Sequence, residues 1–134
     1  MKTKNHMRIS ELIAIISSVA ILIGFAVIPQ LFSDRLLRDI VKQTNQAIVS
    51  IESPEAIREC ASRINDMLEK NDTFFHFLYP HSEVTALEVS VKAFYEMALC
   101  SPDEVGQMLT ELCNIRYTAE ALLETDRLSL NGVF

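Results

Sequence analysis

Between Leu12 and Ile28 the sequence reads LIAIISSVAILIGFAVI, with no charged residue and with Ser17 and Ser18 as its only polar side chains. A helix in the core of a soluble domain keeps a polar face at its 3.6-residue period, and this run keeps none. As a helix it spans ~25 Å, and extension through Leu31 and Phe32 brings it to ~30 Å, the thickness of a bilayer's hydrocarbon core. Residues 9–32 are therefore expected to form a transmembrane anchor in the lipid bilayer, behind a short basic segment over 1–8. A cleaved signal peptide is the rival reading. Lys2, Lys4 and Arg8 make a basic start, and Gly24-Phe25-Ala26 is a small-x-small triplet. The apolar run continues past that triplet to Phe32, which is long for a signal peptide. Charge barely orients the anchor, because Lys2, Lys4 and Arg8 are balanced by Arg35, Arg38 and Lys42. The α-amino group adds a small vote for a cytoplasmic N-terminus.

The remainder is poor in breakers. Only 3 Gly and 4 Pro occur in 134 residues, which argues against a loop-rich or all-β fold. Proline marks helix starts and stops. Ser53-Pro54-Glu55 has Ser at the N-cap and Pro at the first helical position, and Ser101-Pro102-Asp103-Glu104 reads as a capping box. Tyr79-Pro80-His81-Ser82 is a short break, after which Ser82 can cap the next helix. The expected class is all-α: the transmembrane helix, then an antiparallel bundle of about four helices over 33–127, then an apolar tail over 128–134. The bundle helices are expected at about 33–51, 54–78, 82–100 and 102–125.

Each has an apolar stripe that buries against its neighbours. The strictest is Val84, Leu87, Val91, Phe94 and Ala98. The others are Leu37, Ile40, Thr44, Ala47 and Ile51; Ile57, Ala61, Ile64, Leu68, Phe75 and Leu78; and Val105, Leu109, Leu112, Ala119 and Leu122, with Arg116 breaking the last row. Acid-to-base pairs four apart support the helices: Asp34–Arg38, Glu59–Arg63, Asp66–Lys70 and Glu88–Lys92.

A net charge of −6 argues against a nucleic-acid partner. Cys60, Cys100 and Cys113 are expected to be free and packed as small apolar groups, because their axial positions in a bundle do not meet. His76, Tyr79, His81 and Glu83 gather at a turn that the up-down order places near the membrane. Two histidines and a carboxylate are a minimal donor set for a divalent metal, but the segment spans a break, so capping and turn packing are the expectation. With no phosphate loop, nucleophile elbow or paired acid–base motif, neither catalysis, a cofactor nor a metal is expected. Leu128, Leu130 and Phe134 make the tail apolar around an Asn131-Gly132 turn signal. The tail is expected to cover the end of the bundle or to meet a membrane-protein partner.

An anchor, a helical region of about 100 residues, the Leu-Tyr-Pro-His-Ser-Glu-Val turn at 78–84 and a Leu-Ser-Leu-Asn-Gly-Val-Phe ending at 128–134 together resemble domain-of-unknown-function family 4363. These are uncharacterised membrane-anchored helical proteins of Gram-positive, often spore-forming, bacteria. His81 with Glu83 matches the family's His before an acidic helix start, and Leu128, Ser129 and Phe134 match its tail. Asn131 is shifted, and Gly132-Val133 replaces the usual residues. The family often carries Trp in the second extramembrane helix; this chain has no Trp, and Phe74 or Phe75 takes that place. The resemblance implies an extracytoplasmic bundle without an assigned activity, acting as an accessory or interaction module of an envelope membrane complex. The alternative is a helical bundle that senses a small ligand and works with a separate signalling partner.

Overall fold

A computed structural model describes the backbone over residues 8–133 and the side chains over residues 8–125. It is all-helical, with no strand among the described residues. The helices are α1 (Ile9–Val49), α2 (Pro54–Lys70), α3 (Asp72–Leu78), α4 (His81–Cys100) and α5 (Val105–Val133). Packing divides the chain into two units, 1–32 and 33–134.

The first unit holds the apolar run. Its window is long and apolar enough to cross a membrane, and none of it is buried. Its exposed large side chains range from 46% at Leu12 to 77% at Phe25, and Val27 is half-buried. Ser18 turns its hydroxyl back to donate to the Ala14 carbonyl at 2.8 Å, so the backbone answers a polar group that apolar surroundings would leave unmet.

In the second unit α4 is the central element, packed against α2, α3 and α5. The stripe Val84, Leu87, Val91, Phe94 and Ala98 is fully buried, as its spacing requires. Residues Ser33, Leu37, Ile40, Thr44 and Ala47 of α1 are buried too, and Thr44 satisfies its buried hydroxyl by donating to the Ile40 carbonyl at 2.7 Å. Ile57, Cys60, Ala61, Ile64 and Leu68 line the inner face of α2.

Several local expectations are corrected. The helix expected over 54–78 is two. Asn71 sits at φ −117° and ψ 16°, and its side-chain amide donates to the Met67 carbonyl at 2.8 Å. A side chain that captures that acceptor competes with helix continuation, and α3 starts afresh at Asp72. Ser53 caps α2 as expected, accepting from the Ala56 N–H at 3.5 Å. Ser101 does not cap α5. It closes α4, donating its N–H to the Met97 carbonyl, and α5 starts at Val105 after a tight turn. Ser82 caps nothing either: α4 begins one residue earlier, with Pro80 at the N-cap position.

The buried face of α5 is Met108, Leu112, Ile115, Ala119 and Leu122, an unbroken 4-3-4-3 spacing. Leu109 lies on its flank, as does Arg116, whose guanidinium donates to the Asn45 side-chain oxygen at 3.2 Å. The helix continues to Val133 through the Asn131-Gly132 turn signal. Of the expected charge pairs, Asp34–Arg38 and Glu59–Arg63 close, whereas Glu88 faces another partner.

Candidate functional site: a histidine–carboxylate cluster where α3 meets α4

The break at Asn71 has a chemical consequence. Restarting the helix at Asp72 puts Asp72 and His76 one turn apart on α3, on the side that meets α4. There Glu88, one turn beyond Val84, points back at them. His76 Nε2 lies 2.8 Å from Glu88 Oε1 and 3.3 Å from Asp72 Oδ1. One ring nitrogen thus faces two carboxylates from two helices. The His76 and Glu88 side chains are about three-quarters buried, whereas Asp72 is half exposed.

The other ring nitrogen is occupied as well. His76 Nδ1 lies 3.0 Å from His81 Nδ1, and the two rings stand 4.7 Å apart, centre to centre. Such a pair needs one nitrogen as donor and the other as acceptor. His81 opens α4, so the Pro80 turn brings it back onto α3. That turn is anchored by Tyr79, which is buried and donates its hydroxyl to Ser33 Oγ at 2.7 Å, and by Phe75, which is fully buried. The histidine pair therefore rests on a core aromatic and on a hydrogen bond to the start of the second unit.

The electrostatics follow from crowding. The Glu88 carboxyl is held above its ordinary range, chiefly by its hydrogen bond with the Asp72 carboxyl and then by burial; its bond to His76 pulls the other way. The ligand atoms of the two carboxyls lie within 4.8 Å of each other. A cleft of about 180 Å³ opens beside them, lined by Asn65, Leu68, Glu69, Asp72, Glu88 and Lys92. One donor atom from each of Asp72, His76 and Glu88 lies within 4.8 Å of the other two, so among the described residues these three could hold a metal ion.

The residues singled out from the sequence fare unevenly. His76 and His81 do come together. Tyr79 supports them from the core. Glu83 is exposed in the first turn of α4, where an acidic side chain suits the helix dipole, and it is not part of the cluster. The side chains of Leu128 and Leu130, and Phe134 altogether, lie outside the described residues. Asp72 and Glu88 were missed. The Asp72–His76 spacing of four was the available signal; Glu88 had been assigned to Lys92 on its own helix.

The thiols also depart from expectation. Cys60, Cys100 and Cys113 are free, but only Cys60 is buried, and Cys100 and Cys113 are exposed. Burial raises the Cys60 thiol above its ordinary pKa, against a smaller lowering by the nearby Arg63 guanidinium. No family model, curated protein or solved structure matches the chain.

Proposed function

We propose that the chain is a single-pass membrane protein with a cytoplasmic N-terminus. Its residues 33–127 form an antiparallel four-helix bundle on the extracytoplasmic side, serving as an accessory or interaction module of an envelope membrane complex. Membership of domain-of-unknown-function family 4363, in a Gram-positive bacterium, is part of the same proposal. The observation that carries it is the unburied apolar window of α1. A helix that is apolar all round and covered by none of its own chain belongs in lipid or against another membrane protein. The acidic character of the second unit suits a module that stands off anionic headgroups. The role is one of binding, not catalysis.

A second reading has one observation in its favour. A surface groove of about 590 Å³ lies along α1 and α2, with Arg38 and Lys42 beside Val41 and Val49. A small acidic ligand with an apolar part would suit it, in a sensor that works with a separate signalling partner.

The exposed thiols test the topology without any substitution. A membrane-impermeant maleimide applied to intact cells is expected to label Cys100 and Cys113. Labelling only after lysis rejects the orientation. An N-terminus at Val27 by mass spectrometry rejects the uncleaved anchor. Purification from the native membrane with its neighbours is expected to bring down a membrane-protein partner, and recovery of the chain alone contradicts the accessory role.

A further inference from the structure

We propose that Asp72, His76 and Glu88 bind a divalent transition-metal ion of the zinc class, with His81 as the positioning residue behind His76. The argument begins with the ring nitrogen that faces two carboxylates. An Nε2–H can donate well to one oxygen, yet Asp72 Oδ1 and Glu88 Oε1 both converge on it, from two helices. A metal site brings its ligands to one such point of convergence, and these three ligand atoms lie within 4.8 Å of one another.

The spacing fits. Ligands ~2.0–2.1 Å from a tetrahedral zinc stand ~3.3 Å from one another. His76 Nε2 lies 3.3 Å from one carboxylate oxygen and 2.8 Å from the other. A small outward rotation of Glu88 opens the shorter edge to that length, and half-exposed Asp72 is free to follow. One imidazole and two carboxylates suit borderline ions such as zinc better than thiol-seeking or all-oxygen ones. Three protein ligands leave a fourth position to water from the adjoining cleft.

The second nitrogen is placed to serve the same site in one of its two tautomers. A metal-ligating histidine characteristically donates its other ring N–H to a fixed acceptor, which selects the tautomer and holds the ring. With a proton on His76 Nδ1 donated to His81 Nδ1 at 3.0 Å, Nε2 presents a lone pair toward the two carboxylates. Three electron-rich atoms so arranged repel one another unless a cation lies among them. Binding therefore displaces whatever proton the cluster otherwise holds, and uptake releases protons to buffer. The ion would tie α3 to α4 across the Pro80 turn. This inference concerns the second unit alone and stands or falls separately from membrane insertion and from the proposed partner.

The test is calorimetric titration of the chelator-stripped full chain in detergent micelles with Zn²⁺, with Co²⁺ as a spectroscopic probe. Wild type is expected to take up one ion per chain, and its Tm to rise with added Zn²⁺. His76→Gln and the near-isosteric Glu88→Gln are expected to weaken uptake by at least ~10-fold, and His81→Ala by ~10–100-fold. A Cys100→Ser/Cys113→Ser double variant is expected to bind as wild type does, and bound Co²⁺ to show no thiolate charge-transfer band. Should His76→Gln fail to fold, Glu88→Gln decides. Absence of uptake by wild type overturns the proposal, and so does uptake that Glu88→Gln leaves unchanged. The first result identifies the cluster as a histidine held by two carboxylates through protons alone.

Discussion

The two ends of α1 obey opposite rules. From Leu12 to Phe32 none of its large apolar side chains is buried and most are exposed, whereas from Ser33 to Val49 the buried positions fall on one stripe. Backbone and helical period are the same in both, so the difference lies in what the surroundings ask. Water tolerates a helix only when its apolar groups share one face and another helix covers that face. The stretch from Ser33 onward meets this condition. Its stripe of Leu37, Ile40, Thr44 and Ala47 is buried, while Arg38, Asp39 and Lys42 lie outside it. The stretch before it does not: it is long and apolar enough to cross a membrane, and none of its most apolar window is buried.

The largest effect expected from breaking this contrast is in the first stretch. Charges at Ile16 and Leu22 should each cost ~2.5–3.5 kcal/mol of insertion, enough together to release the chain from membranes. Flotation with vesicles checks this. An Ile16→Arg/Leu22→Arg chain is expected at the bottom of the gradient and wild type at the top. In the second unit the corresponding injury is loss of volume. Phe94 is fully buried on the inner stripe of α4, and Phe94→Ala should cost ~3–5 kcal/mol by denaturant unfolding. Val89 is 63% exposed on the same helix, and Val89→Ala should cost under ~0.5 kcal/mol. Equal losses would mean that the helical phase is wrong.

Smaller effects sharpen the boundary. Tyr79→Phe deletes the hydroxyl that donates to Ser33, the first residue of the second unit, and should cost ~0.5–1.5 kcal/mol. Smallest in energy, yet easily read, is thiol reactivity. Cys100 and Cys113 should alkylate readily in the folded chain, and Cys60 only slowly, because burial both shields it and disfavours its thiolate. Fast modification of Cys60 without unfolding would contradict the packing of α2.

These contrasts also explain what was legible in the sequence. The Val84-to-Ala98 stripe was readable because no second apolar row competes with it. The α5 face was misread because Leu109 and Met108 are adjacent, and choosing Leu109 led the row into Arg116. Taking Met108 restores an unbroken spacing through Ile115. Ser101-Pro102-Asp103-Glu104 carries the letters of a capping box, but Ser101 ends α4, and the turn in which the Glu104 N–H donates to the Ser101 carbonyl delays α5 to Val105. The Asn71 break was hidden because Asn, Asp and Thr are tolerated within helices; only the Asn71 amide on the Met67 carbonyl shows which alternative won. The histidine–carboxylate cluster was half visible. Asp72 and His76 share a helical face by spacing alone, but Glu88 reaches them only because α3 and α4 pack together, a contact that spacing within one helix does not encode.

The central claim is that lipid surrounds the first stretch and water the second, and the absence of tryptophan allows a direct test. Ile21 and Val89 are exposed to similar degrees, 58% and 63%, so a single Trp at either site is a unique fluorophore in a comparable position on its own helix. The full-length Ile21→Trp and Val89→Trp chains would be reconstituted into vesicles whose lipids carry brominated acyl chains, which quench only by contact. The Ile21→Trp chain is expected to emit at short wavelength and to be strongly quenched, and the Val89→Trp chain to emit as in water and to be unaffected. Equal quenching of the two, or none at Ile21→Trp in vesicle-bound protein, would contradict the account.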